Sequence, residues 1–299
     1  MRTNMRVRVP RSARAISLLA ALAAGTVAAS ACDDTATEPR GREVQLGGLF
    51  SLTGNWSTLG RAGAAAMELA VEDVNQYLAG NAAGIRFAAV IEDTRLDPGT
   101  ALEKAQALRG RGVQLLIGPQ SSAEVEQLER FVDANAMLLV SPSSTAGTLA
   151  IPGDNVFRFT PSDSLEGVVV SAMMWDDGIR AVIPVWRDDV GNAGLEHATR
   201  ARVGALGGTV LAGVKYGADV TDFDATVQAI DAQLQSAIAQ YGTEHVAVYL
   251  AAFDEVVPLF AAATADPVLG SVRWYGSDGV ALSQALLDDT RAVAFATRV

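Results

Sequence analysis

The chain has 299 residues, 49% of them apolar, which is enough for two domains of ordinary size and a sizeable core, and argues against a disordered polypeptide. Its formal charge is −11 and its only lysines are Lys104 and Lys215, so it offers no basic face for a phosphate backbone and nucleic acid is a poor partner. Cys32 is the sole cysteine, which rules out an intramolecular disulfide or a cysteine zinc site.

The N-terminus reads as an export signal. Arg2, Arg6, Arg8, Arg11 and Arg14 precede an apolar run from Ile16 to Ala29, about the length of a signal-peptide core and too short to span a bilayer comfortably. The run ends "ASAC", and small residues before a cysteine resemble a bacterial lipobox, although Ala29 stands where leucine is preferred. The expectation is therefore a lipoprotein signal peptide over 1–31, lipidation at Cys32 and a polar tether over 32–42; the competing reading is an ordinary secreted protein with a stray thiol. Residues 1–31 hold five arginines and no acid, so without them the charge becomes −16.

From Val44 onward short apolar runs alternate with helical periods. Strands are predicted over 44–50, 85–93, 113–118, 136–142 and 155–162, with helices over 59–78, 97–112 and 122–135 between them. The rhythm resumes with helices near 164–177, 192–206, 222–242 and 254–264 and strands over 181–186, 208–216, 245–253, 272–279 and 292–299. Unalternating apolar strands between helices imply parallel sheets covered on both faces, and ten or so strands suit two lobes better than one open sheet. The boundary is placed at "RFTPSDS", giving 43–160 and 161–299.

Ligands of open parallel sheets collect outside the carboxyl ends of the strands. Serine and threonine crowd those ends in the first half ("GPQSSAE", "SPSSTAG"), and acids crowd them in the second ("RDDVGNAG", "AAFDE", "SDG"). Ser121 with Glu124 fits a capping box, which accounts for one of the two adjacent serines. Ser122 and Thr145 follow consecutive strands and can face one cleft, where a helix N-terminus and a hydroxyl suit an anion without a countercharge. Asp278 on the facing side suits an ammonium, so a zwitterion between the halves satisfies both sets.

These segments resemble the type I periplasmic substrate-binding proteins of ABC transporters, in particular the leucine/isoleucine/valine-binding branch. The resemblance runs from about Glu43 to the last residue and rests on "GGLFSLTGNWSTLGRAGAAAMELAVEDVN", "IEDTRLDPGTALEKAQAL", "GVQLLIGPQSS", "LLVSPSSTA", "VFRFTPSDS", "DDVGNAGLE" and "YGSDG" in that order. It implies an α/β, two-lobed type I periplasmic-binding-protein fold, each lobe a mostly parallel sheet with helices on both faces. It also implies that Ser122 holds the carboxylate of an amino acid, that Ser143 contributes a backbone group and Thr145 its side chain, and that Asp278 takes the ammonium. Aromatic positions of the family fall on Leu59, Val190 and Phe253, where phenols common in that branch are absent, and Trp56 in the first loop can cover the ligand. By the same resemblance 292–299 is a strand entering the second crossing between lobes, and the C-terminal return to the first lobe is missing: either the sequence is a fragment, or the first lobe lacks part of its sheet and helical cover, and an incomplete lobe is expected to expose apolar surface.

What the resemblance implies is an exported, lipid-anchored monomer on the periplasmic side of a bacterial membrane, whose partners are a small solute, an amino acid or amide, and the subunits of an ABC permease. No metal or cofactor enters that picture. The alternative from another class is a ligand-sensing receptor domain of the same fold. An enzyme finds no support: neither a G-x-S-x-G elbow nor a phosphate-binding loop is present, and His197 and His245 lack partners at ligand spacing.

Overall fold

A computed structural model describes residues 42–299. The signal segment 1–31, Cys32 and all of the tether except Arg42 lie outside the described residues. Residues Arg42–Val299 form one compact unit.

The first half is built from β1 (Arg42–Phe50), α1 (Ser57–Gly80), β2 (Ile85–Asp93), α2 (Pro98–Gly110), β3 (Leu115–Ile117), α3 (Ser122–Ala134), β4 (Leu138–Ser141) and β5 (Val156–Arg158). Its five strands are all parallel, in the order β2-β1-β3-β4-β5, and β1 pairs with β2 along its whole length, from Arg42↔Ile85 to Phe50↔Asp93. Because successive strand residues point to opposite faces, Leu49 packs with Leu116, Leu139 and the buried faces of α2 and α3, while Phe50 packs with Ala64 and Met67 of α1 on the other side. α1 lies over β1 and β2. Beside it runs an apolar groove of about 460 Å³, lined by Leu46, Phe50, Met67, Val74, Leu115, Ile117 and Pro142. Phe157 and Phe159, at the β5 side of this half, are exposed.

The second half comprises α4 (Asp163–Asp176), β6 (Ala181–Arg187), α5 (Val190–Ala205), β7 (Thr209–Val210), β8 (Val214–Tyr216), α6 (Asp224–Tyr241), β9 (Val246–Ala251), α7 (Val256–Ala263), β10 (Arg273–Gly276), α8 (Gln284–Asp288) and α9 (Thr290–Ala296). The sheet runs β10-β9-β6-β7, with β8 also on β6, again all parallel. Buried unalternating strands are explained by two helical layers. Ile183, Val185, Val248 and Leu250 face α6, α7 and α9, and Val182, Ala247, Tyr249 and Ala251 face α4 and α5.

Two predicted elements differ. The strand expected over 208–216 is two short strands on the same partner: the chain leaves β6 at Gly213 (φ 79°), whose N–H and carbonyl are both taken by the Gln233 amide at 2.9 and 3.0 Å. The strand expected over 292–299 is instead the helix α9. Asp289 Oδ1 accepts from the N–H groups of Arg291 and Ala292, both at 2.9 Å, and Ala292 and Phe295 are fully buried at i, i+3 spacing, with Phe295 4.9 Å from Phe260 of α7. The apolar letters of "AVAFA" therefore obey a helical period, not an alternating one.

The turn from β3 into α3 depends on Gly118. Its φ is 89°, and a Cβ there would stand 2.0 Å from the Leu49 carbonyl oxygen. Gly118→Ala is expected to destabilise the protein by about 3 kcal/mol, from a left-handed backbone and a main-chain clash that cannot relax at once. Urea unfolding measures this, and a midpoint within error of the parent would refute it.

Candidate functional site

The cleft between the two sheets begins at the N-terminus of α3. Ser121 is used up locally: its Oγ caps Glu124 N at 3.3 Å and donates to Glu124 Oε2 at 2.6 Å, while its own N–H reaches the same carboxyl. Glu124 is fully buried, and burial raises its pKa despite the Ser121 and Thr94 hydroxyls and the Arg187 charge. Ser122 is arranged differently. Its Oγ accepts from the Ser144 hydroxyl (3.1 Å), Thr145 N–H (3.2 Å) and Ala146 N–H (3.1 Å). With its lone pairs occupied, the Ser122 proton is available to an acceptor, such as a carboxylate oxygen. Ser143 gives its hydroxyl to the Gln120 carbonyl at 3.1 Å, which leaves its main chain to serve a ligand.

The opposite wall comes from the second sheet. Gly191 of α5 is so close to Ser122 that a Cβ there would stand 3.3 Å from Oγ. Asp278 follows β10, and its N–H donates to Glu166 Oε1 of α4 at 3.1 Å. Trp56 and Phe253 close one side, with ring centroids 4.4 Å apart. The backbones beneath them are clasped: Trp56 N–H donates to Asp254 Oδ2 at 2.7 Å and Asp254 N–H to Asn55 Oδ1 at 2.8 Å, with Ser283 holding the other Asp254 oxygen at 2.6 Å. Trp56 sits in the left-handed region (φ 59°) directly before α1.

Six of the eight sequence-predicted ligand residues, Trp56, Ser122, Ser143, Thr145, Phe253 and Asp278, line this one cleft. Leu59 instead packs behind Trp56 and Phe253, and Val190 packs against the core of the first half. As it stands the cleft encloses only about 20 Å³, the space of about one water, so a solute of amino-acid size enters only if the walls part. Among the described residues no helix is long and apolar enough to cross a membrane, and no group of three or more His, Cys, Asp or Glu could hold a metal.

Sequence reasoning missed part of the second wall. Asp163 and Glu166, three apart at the start of α4, are half-hidden in "PSDSLEG", where first-turn acids read as helix-capping charge. Burial pushes Glu166 up to about 7, helped by the Asp278 charge. Asp163 is pushed up to about 6, again mainly by burial, with the Thr145 hydroxyl and Arg158 partly offsetting burial and the Asp278 charge. Asp278 is itself raised by burial. Asn192 and Leu195 of α5 also line the cleft. Their signal was the Asp189–Asn192 spacing of an N-cap, which Asp189 Oδ1 fulfils at 2.9 Å.

A carboxyl whose folded pKa exceeds its unfolded one stabilises the fold only while protonated, so the contributions of Glu166 and Asp163 are full below the unfolded values and fade as pH rises through about 6 to 7. After allowance for solvent screening, stability should fall by on the order of 1–2 kcal/mol between about pH 5 and pH 8. Glu166→Gln should raise the unfolding temperature by about 2 °C at pH 8 and leave it unchanged at pH 5. Equal shifts at both pH values would contradict this.

Comparison with known proteins places the chain. The family described as periplasmic binding protein matches residues 43–265. An uncharacterized protein of Methanocaldococcus jannaschii is 28% identical over 272 residues, covering 87% of this chain and 63% of that protein. A chemotactic signal transduction system substrate-binding protein of Halobacterium salinarum is 32% identical over 188 residues, 59% of this chain and 44% of that protein. The crystal structure of a leucine-binding protein from Thermotoga maritima superposes with a TM-score of 0.65 at 23% identity, covering 85% of this chain and 66% of that one, and shows the same fold. The chain thus spans less than two thirds of the length of these relatives. Its two parallel α/β sheets facing one cleft and the match over 43–265 establish that it belongs to the periplasmic binding protein family, with the type I fold.

Proposed function

We propose that this protein captures an amino acid, or a similar small zwitterion or amide, between lobes formed by residues 43–160 and 161–299 and delivers it to the permease of an ABC transporter. In this reading Cys32 carries a lipid that holds a monomer on the outer side of a bacterial membrane. The observation that carries the reading is the pairing across the cleft: an unspent Ser122 proton and the Thr145 loop on one wall, and Asp278 with no lysine or arginine against it on the other. Neutral donors hold a carboxylate without the strong attraction of a fixed cation, which suits a ligand that must be released. Asp278 answers the ammonium, and the Trp56–Phe253 pair covers the apolar part of the solute. The solute bridges both walls, so it stabilises the closed arrangement by its differential affinity for it, and that arrangement is what a permease recognises. No step in this cycle involves catalysis.

The leucine-binding relative supports the amino-acid class, and the haloarchaeal chemotaxis relative favours a second reading, a sensory partner in place of a permease. Titration calorimetry against the common amino acids and a few small amides should give one-site binding to a chemically related group. Asp278→Ala should weaken that binding by about 2–5 kcal/mol, the scale for leaving a buried charge unpaired. Unchanged affinity in this variant would remove Asp278 from the ammonium role. Stimulation of a reconstituted permease ATPase by the loaded protein separates transport from sensing.

A further inference from the structure

Asp278 of the second wall stands beside more acceptor oxygen than one ammonium can use. Glu166 accepts from Asp278 N–H at 3.1 Å, so these two carboxyl residues stand side by side. Asp163 is 3% exposed; the Thr145 hydroxyl lies beside its carboxyl, but no hydrogen bond of good geometry reaches either oxygen among the described residues. Its position is fixed by its own N–H, which donates to the Thr145 carbonyl at 3.1 Å, and by Gly194 of α5, where a Cβ would stand 2.3 Å from Asp163 Oδ2.

Behind the acids stands Tyr249 of β9. It is fully buried, and its phenol oxygen also lacks a hydrogen-bond partner among the described residues. The Thr199 side chain lies beside that oxygen, and the charges of Glu166, Asp278 and Asp163 are near enough to raise its pKa. Buried polar oxygens without partners destabilise a fold, and their occurrence on two neighbouring elements, α4 and β9, points to a group that completes them.

Little countercharge stands at the same place. Arg158 is near enough to lower the Asp163 pKa, but it makes no ion pair with that carboxyl and donates to the Ala146 carbonyl. The buried Arg187 is held by Asp189 and Glu255. No lysine or arginine is paired with Glu166 or Asp278 in the described residues, and the three carboxyls do not form a metal-binding group. Spread acceptors of this kind suit diverging N–H donors, of which an ammonium has three and a guanidinium five. The adjoining apolar surface of Trp56, Phe253 and Leu195 suits the methylene stem of a long basic side chain, with an aromatic face for its charge.

We propose that Asp163, Glu166, Asp278 and Tyr249 form a subsite for a second cationic group, so that the solute is an amino acid with a basic side chain. This inference rests on the amino-acid reading above and narrows it. It is tested by titration calorimetry on the full chain at about pH 8, where Glu166 is ionised, with L-lysine, L-ornithine, L-arginine, L-leucine, L-glutamine and putrescine as probes. At least one basic amino acid should bind at least about tenfold tighter than leucine or glutamine. Glu166→Gln should cut that preference by about tenfold or more, and Tyr249→Phe should lower it in the same direction by less. Leucine or glutamine binding as tightly as the best basic amino acid overturns the proposal. So does a preference that survives Glu166→Gln in a protein that still unfolds cooperatively. Binding of putrescine alone, lost in Glu166→Gln, keeps the subsite and removes the amino-acid reading, whereas no binding by any probe removes both.

Discussion

Parallel pairing brings the carboxyl ends of β1, β3 and β4 to one edge of the first sheet, and those of β6, β9 and β10 to one edge of the second. Four of the residues lining the cleft leave the sheets at those edges. Ser122 stands where β3 turns into α3, Thr145 where the chain leaves β4, Phe253 where it leaves β9, and Asp278 where it leaves β10. Helices above and below each sheet take up most of its apolar faces, apart from the groove beside α1, so the strand ends are left to carry polar chemistry. The composition of the cleft follows from this constraint: short polar side chains on turns, backed by helix N-termini.

Much of that could be read from the letters alone. Apolar runs such as "AVIPVW" and "HVAVYLAAF" announce buried parallel strands, and the Ser121–Glu124 spacing announces a cap that the structure forms. Ser122, Thr145 and Asp278 stand out because they follow strand ends. What escaped the sequence is what depends on tertiary approach. Asp163 and Glu166 look like ordinary first-turn acids until α4 is packed on α5 and brought beside Asp278. Tyr249 sits in a strand that reads as pure core, and only the sheet places its phenol oxygen by the acids. At the C-terminal end the apolar letters fit a strand and a helix equally well, and the Asp289 cap decides for the helix. Leu59 and Val190, carried across from the resemblance, lie outside the cleft lining: Leu59 packs on Trp56 and Phe253, and Val190 on the core of the first half.

The electrostatic character of the cleft is lopsided. On the first wall the hydroxyls of Ser122, Ser143 and Ser144 and the main-chain N–H groups of Thr145 and Ala146 satisfy one another apart from the donor kept by Ser122, whereas the Gln120 amide oxygen is left without a partner among the described residues. The second wall is under tension. Its carboxyls are raised by burial, and those of Asp163 and Glu166 also by the Asp278 charge, a condition that a nearby cation relieves and an anion aggravates.

The clasp under Trp56 and Phe253 has an evolutionary consequence. Asp254 grips the main-chain N–H of residue 56 and not its indole, and Asn55 grips the main-chain N–H of residue 254. A backbone handle survives almost any change of side chain. The aromatic residues covering the cleft can therefore change without undoing the fastening between the two halves, so long as Asn55 and Asp254 remain. Cover and fastening are in this way written in separate parts of the same short loops.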